Sequence, residues 1–172
     1  MRGALSILLG GVLTAGGAAV AAAPPPGAVA QDLPEFVQTA SLVVVGRVAE
    51  VRAGRSAGSG EGRLHFNDVH ISVERRLKGD PPATIVVEQV APAGRVVSSE
   101  VGPPYKLGER DVLFMREGEG HRYVVLPQGR YRLERGTVHP IGPGPAAERA
   151  RGVNEARFVG EIEAVVAQGK PR

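Results

Sequence analysis

Hydrolytic chemistry by a side-chain nucleophile needs a hydroxyl, a base about 3 Å away and an acid that orients the base. The sequence supplies the pieces in Ser98-Ser99, His70, His121, His139, Asp68 and Asp111. Their context argues against assembly. No Gly-x-Ser-x-Gly elbow is present, and Ser98-Ser99 falls in a stretch that reads as a connection rather than as a rigid element. A metal would use His65, Asp68 and His70, but strand alternation sends His65 and His70 to opposite faces unless a bulge intervenes, so no metal centre is expected. Gly58-Ser59-Gly60-Glu61-Gly62 has the glycines of a phosphate loop without the Lys and Ser/Thr that complete one or the helix that follows it. Glu74, Glu88, Glu100 and Glu109 offer pairs of carboxylates for glycoside chemistry. Their types alone equally describe a charged outer sheet face. No catalytic residue is assigned, and no cofactor is expected.

Basic side chains give a different kind of site. Arg47, Arg52, Arg130 and Arg132 are the residues assigned to ligand contact, with Arg130 and Arg132 sharing one strand face and Arg135 close by. Such a group suits an anionic polymer or an acidic protein surface, or else a charged edge that discourages strand pairing. Nucleic acid is not the expected partner, because four Phe and three Tyr provide few stacking platforms for bases.

The elements that must position these residues begin after the N-terminal segment. Arg2 precedes an apolar stretch, Ala4 to Ala23, which is followed by Pro24-Pro25-Pro26-Gly27 and by the small-x-small sequence Ala28-Val29-Ala30. This is the form of a secretory signal, so residues 1–30 are read as a signal peptide and Gln31 as the mature start; Ala21-Ala22-Ala23 is a poorer cleavage site because Pro24 follows it. The competing reading is an uncleaved anchor, since the stretch approaches the ~20 residues that span a bilayer. Exported, secreted or envelope-associated localisation follows from the signal, with membrane contact only through it.

Of the 172 residues, setting aside the first 30 leaves 142, the size of one domain, here 31–172. Arg2 is the one charged residue removed, leaving 20 basic against 18 acidic side chains, a near balance that calls for no polyanion partner. Cysteine is absent. Disulfides, thiolate metal sites and cysteine nucleophiles are thereby excluded, and packing alone must hold the fold.

Leu33, Phe36, Val37 and Ala40 have helical spacing and predict one or two turns. Ser41 to Val51 is the strongest strand, apolar at both parities in its first half, with Gly46 placed for a bend. Ala53 to Arg63 reads as a loop. His65 to Leu77 alternates as a long half-buried strand, Lys78-Gly79-Asp80-Pro81-Pro82 is a turn, and Thr84 to Val90 is a third strand. Gly94 to Gly108 is a connection with a short strand at 95–97. Asp111 to Arg116 and His121 to Leu126 are strands about a hairpin loop, Gln128-Gly129 is read as a turn, and Tyr131 to Arg135 with Thr137 to His139 forms a last hairpin. Gly142-Pro143-Gly144-Pro145 is a linker. A C-terminal helix over about 154–168 starts at an Asn154 cap, buries Phe158, Val159, Ile162, Val165 and Val166, and stops near Gly169 and Pro171.

This order predicts a mainly β fold: a small five-stranded OB-like Greek-key barrel over about 41–141, with an extra hairpin and a C-terminal α-helix. The alternative is a β-sandwich, although the Cys and Trp markers of immunoglobulin domains are missing. The runs Ser41-Leu42-Val43-Val44-Val45-Gly46-Arg47-Val48, Leu77-Lys78-Gly79, Leu107-Gly108-Glu109-Arg110-Asp111-Val112-Leu113-Phe114 and Gln128-Gly129-Arg130-Tyr131 resemble those of small uncharacterised exported bacterial proteins. The fold of those proteins is similar to the OB barrel of the netrin module and of the tissue inhibitors of metalloproteinases. The resemblance covers most of Leu33 to Ile141 and implies architecture. The N-terminal cysteine with which those inhibitors bind the protease zinc has no counterpart at Gln31-Asp32-Leu33. The function expected is a non-catalytic exported binding domain for an extracellular or envelope protein or an anionic polymer, of unassigned oligomeric state. The alternatives are an envelope hydrolase with an unfamiliar site and a protease-inhibitor-like domain.

Overall fold

The computed structural model describes residues 32–60, 63–91 and 102–169. The segment read as a signal peptide, the short strand expected at 95–97, Ser98-Ser99, Glu100, part of the 58–62 loop and Pro171 lie outside the described residues.

Among the described residues, three α-helices and six strands follow one another as α1 (Leu33–Thr39), β1 (Leu42–Ala57), β2 (Leu64–Lys78), β3 (Thr84–Val90), β4 (Arg110–Glu117), β5 (Arg122–Glu134), β6 (Thr137–Pro140), α2 (Pro145–Ala150) and α3 (Glu155–Gln168). The sheet runs β3-β2-β1-β4-β5-β6, and a parallel contact of β3 with β5 closes β1, β2, β3, β5 and β4 into a ring. The other neighbouring pairs are antiparallel. The result is the expected small closed five-stranded barrel, with one added strand and a C-terminal helix, and closure rules out the sandwich.

The double-sided apolar character of Leu42 to Val45 has a direct cause. Leu42 and Val44 point into the barrel with Ile71, Ile85, Leu113 and Met115, while Val43 and Val45 point outward beneath the helices with Phe36, Phe114, Tyr131 and Phe158. One wall therefore separates two cores, and alternation along β4 serves both: Leu113 and Met115 face in, Val112 and Phe114 face out. Phe36, Phe114, Tyr131 and Phe158 stack as a ladder in the outer core, with successive ring centroids 5.7, 5.6 and 5.0 Å apart.

Local chemistry fixes the ends of the elements. Lys78 closes α1 by donating from Nζ to the carbonyls of Val37, Gln38 and Ala40 at 2.6, 3.2 and 2.5 Å, satisfying acceptors that the helix end leaves open. Asn154 caps α3 as expected, its Oδ1 accepting from the Ala156 and Arg157 amides. Gly46 sits where β1 bends over β2. A Cβ there would lie 2.3 Å from Cγ2 of Ile71, so the two strands approach as they do only without a side chain.

Three sequence expectations are corrected. The loop read at Ala53 to Arg63 is strand as far as Ala57, because Ser56 and Ala57 pair with His65 and Leu64 across a register shift that hides the alternation. Gln128-Gly129 does not turn the chain. The strand continues with Gln128 at φ 60° beside an irregular register between Leu113 and Met115, and a Cβ on Gly129 would meet the Leu126 and Phe114 carbonyls at 2.9 and 3.0 Å. The linker gives way at Pro145 to α2, whose Ala146, Ala147 and Ala150 are buried.

Candidate functional site

Strand alternation carries a cluster of four largely buried charges to one mouth of the barrel. Asp111 continues the inward row of Leu113 and Met115, and Arg130 and Arg132 occupy the inward positions of β5, since Tyr131 and Leu133 between and beyond them pack outward. Register places Asp111 directly opposite Arg132 and Leu113 opposite Arg130, so Arg130 reaches Asp111 diagonally.

Arg130 is 5 % exposed and Asp111 1 %. The guanidinium of Arg130 donates from Nε to Asp111 Oδ2, from Nη1 to the Pro103 carbonyl and from Nη2 to Glu109 Oε2, each at 2.8 Å. Its flat face lies 3.6 Å from the ring centroid of Tyr105, which covers it. Glu109 is shared: Oε1 is 2.9 Å from Arg132 Nη2, and Oε2 also accepts the Lys106 amide at 2.9 Å. Gln89 pins the same segment, donating to the Pro103 carbonyl and accepting from the Tyr105 amide. The group forms a polar plug: two guanidinium ions, two carboxylates and one aromatic lid.

Satisfaction within the plug is uneven. Asp111 Oδ1 and Arg132 Nε are buried without a hydrogen-bond partner and stand 3.9 Å apart. The geometry at Arg132 Nη2 gives close ionic contact with Glu109 but no aligned hydrogen bond. Burial pushes the Asp111 carboxyl above the ordinary Asp value against the pull of Arg130 and Arg132. Desolvation also raises the phenol of Tyr105. In the outer core, Tyr131 has no partner for its hydroxyl and is pushed up to about 12 by burial.

A second charge cluster lies on the outer face of the barrel. Arg110 bridges Glu74 at 2.8 Å and Glu155 at 3.1 and 3.2 Å, and Arg47 reaches Glu74 at 2.9 Å. It borders a shallow hollow of about 520 Å³ lined also by Val45, Arg75 and Val159. A groove of about 580 Å³ runs between α1, the end of β2 and the last turn of α3, with Val37, Leu77, Val165 and Val166 on its floor and Arg76 and Lys78 at its side.

The far half of the β1–β2 ladder, an arm in which β1 has lost β4 and keeps β2 as its strand partner, carries the third set together with neighbouring residues of β3 and β5. Arg55 lies 4.8 Å from the centre of the Phe66 ring and pairs bidentately with Glu88 at 2.5 and 3.0 Å. Arg122 grips Asp68 with two bonds of 3.0 Å, and the Arg122 hydrogen bond holds the Asp68 carboxyl below its usual range. Glu50 accepts from Arg52 at 2.5 Å.

These positions redistribute the residues singled out from sequence. The four arginines do not form one face. Arg47 and Arg52 are 47 % and 62 % exposed in their side chains, whereas Arg130 is inside the plug and Arg132 at its margin. Arg130 is therefore a structural ion and not a surface contact, because Asp111, Glu109, Pro103 and Tyr105 already surround its guanidinium. His70, His121 and His139 sit on β2, in the β4–β5 turn and on β6. His65 shares a contact of 2.9 Å with Ser56, and Asp68 is held by Arg122. Among the described residues, no three His, Cys, Asp or Glu side chains converge as a metal site. Of the carboxylates considered for glycoside chemistry, Glu74, Glu88 and Glu109 are each engaged by an arginine. Arg110, Glu155 and Tyr105 were not singled out from sequence. Glu109/Asp111 and Arg130/Arg132 each have the i, i+2 spacing of one strand face, and their opposite signs are the signal that marks a cross-strand ladder.

No known protein-family model matches the chain, and none of the curated proteins matches it.

Proposed function

We propose that the chain is an exported, non-catalytic binding domain that presents one barrel face to a protein or an anionic polymer outside the membrane. The observation that carries this reading is the engagement of its carboxylates. Asp68, Glu74, Glu88, Glu109 and Asp111 are each held by at least one guanidinium within 3.0 Å, an arrangement that fixes side chains instead of leaving an acid or base to meet a substrate. The plug and the Arg110 bridge then act as scaffold. Arg47 and Arg52 are the contact residues, since each keeps about half or more of its side chain in solvent with a single carboxylate partner.

Two measurements test the reading. Recovery of envelope components on immobilised wild type, Arg47→Glu and Arg52→Glu should fall in the variants, and equal recovery on all three removes the arginine face. Turnover of esterase, glycosidase or peptidase substrates by the pure chain, abolished by a substitution at Asp68 or Glu74, would replace the binding reading with the hydrolase one.

A further inference from the structure

Among the described residues, the arm of β1 has an open side. Its lower half is paired on both edges, with β2 on one and with β4 from Leu42 to Arg47 on the other. Val48 still exchanges backbone hydrogen bonds with the segment before β4, accepting from the Gly108 amide at 2.9 Å and donating to Glu109 at 2.8 Å. Beyond it, Glu50 to Ala53 and Ser56-Ala57 pair with β2 and with no other strand among the described residues. An extended strand with one free edge offers a row of amide donors and carbonyl acceptors to another strand.

The side chains on this edge are complementary to themselves. Glu50 and Arg52 stand on one face of the strand, already in contact. Val51 stands on the other face, opposite Val69 in the ladder, and is 39 % exposed although Val69 is fully buried. Antiparallel pairing about a two-fold axis at Val51 sets residue i opposite 102 − i of the mate. Glu50 then faces Arg52 of the second copy twice over, and Val51 faces Val51. This register keeps each residue on its own side of the sheet, as a two-fold normal to the sheet requires. It also places four alternating charges in a square on one face, and extends the row of Val69 across the axis on the other.

We propose that the occupant of this edge is a second copy of the chain, joined through residues 49–53 of β1 in the register centred on Val51. A strand contact of this length is smaller than a standard stable interface of ~1,200 Å² or more, so the association is weak and concentration-dependent. Arg52 is shared with the proposed ligand contacts while Arg47 lies outside the paired stretch; self-association is measured with no ligand present, and Glu50→Arg alters neither contact arginine, so failure of the dimer and failure of the ligand-binding reading are told apart.

Charge exchange tests the register without touching the core. Sedimentation equilibrium of the full chain with its own N-terminus, over roughly 10 µM to 1 mM, should show monomer and dimer for the wild type. Glu50→Arg sets Arg against Arg, and Arg52→Glu sets Glu against Glu; each should weaken self-association about tenfold or more, because opposed like charges replace two cross-strand pairs. Mixing the two single variants in equal amounts should restore a dimer, since the basic edge meets the acidic one, and the double exchange Glu50→Arg with Arg52→Glu should dimerise on its own. Circular dichroism of each variant establishes that the fold is intact. A wild type that stays monomeric throughout, single variants that associate as the wild type does, or a mixture no more associated than its parts would each overturn the proposal.

Discussion

The barrel mouth and the β1–β2 arm are both rich in arginine and carboxylate, yet the same chemistry does opposite work in them. At the mouth, Arg130 and Asp111 are nearly out of water, every strong contact of Arg130 is made within the protein, and Tyr105 lies on the guanidinium. On the arm, Arg52 keeps most of its side chain in solvent, and its pairing with Glu50 competes with water and salt. A buried pair is costly to break because the ion left behind has no substitute partner, whereas an exposed pair is replaced by hydration. Identical residue types thus mark scaffold in one region and accessible surface in the other.

The sharpest way to break this contrast is Arg130→Ala. It leaves Asp111 and Glu109 without their main cation and should cost about 3–5 kcal/mol of unfolding free energy in urea titration. The paired replacement Arg130→Met with Asp111→Leu removes both charges and should recover most of that loss. A single variant as stable as the wild type would show that the mouth is not sealed.

Gly46→Ala should cost about 1–3 kcal/mol by the same measurement, as the new methyl pushes on Ile71 where the barrel wall bends. Acid then separates the two regions by sign. Asp68, held below its ordinary value by Arg122, contributes stability that is present at neutral pH and lost as pH falls from the ordinary Asp value through the depressed one. Asp111, raised by burial, binds its proton more readily in the folded state, so its titration makes the fold more stable as pH falls through its raised value to the ordinary one. Melting temperatures of Asp68→Asn across acid pH should therefore fall less steeply than those of the wild type in the lower part of that range. The smallest effect is expected for Arg52→Ala on the arm, because Arg52 and Glu50 keep 62 % and 44 % of their side chains in solvent, and its melting temperature should stay close to that of the wild type.

Periodicity made the barrel legible. Leu42 to Val45 announced a strand covered on both faces, Val69 and Ile71 a half-buried one, and Asn154 the start of the last helix; all three patterns are local and follow directly from side-chain direction. What escaped was set by pairing across the chain. Ser56 and Ala57 are strand because β2 lies beside them, and Gln128-Gly129 bulges because β4 holds the residues on either side. The site was hidden for the same reason. Arg130 reads as a surface cation in isolation and becomes a buried one only when β4 supplies Asp111 and the preceding segment folds Tyr105 over it. The i, i+2 pairing of Glu109 with Asp111 and of Arg130 with Arg132 was visible, but which strand opposes which is a property of the closed ring.

Amide hydrogen exchange in dilute solution measures the contrast on one sample. Slow exchange at Val112 to Met115 and at Arg130 to Leu133, with residues 50–57 opening far faster, is the result expected of a sealed mouth and an open arm. Protection of the arm equal to or greater than that of the mouth would contradict the account.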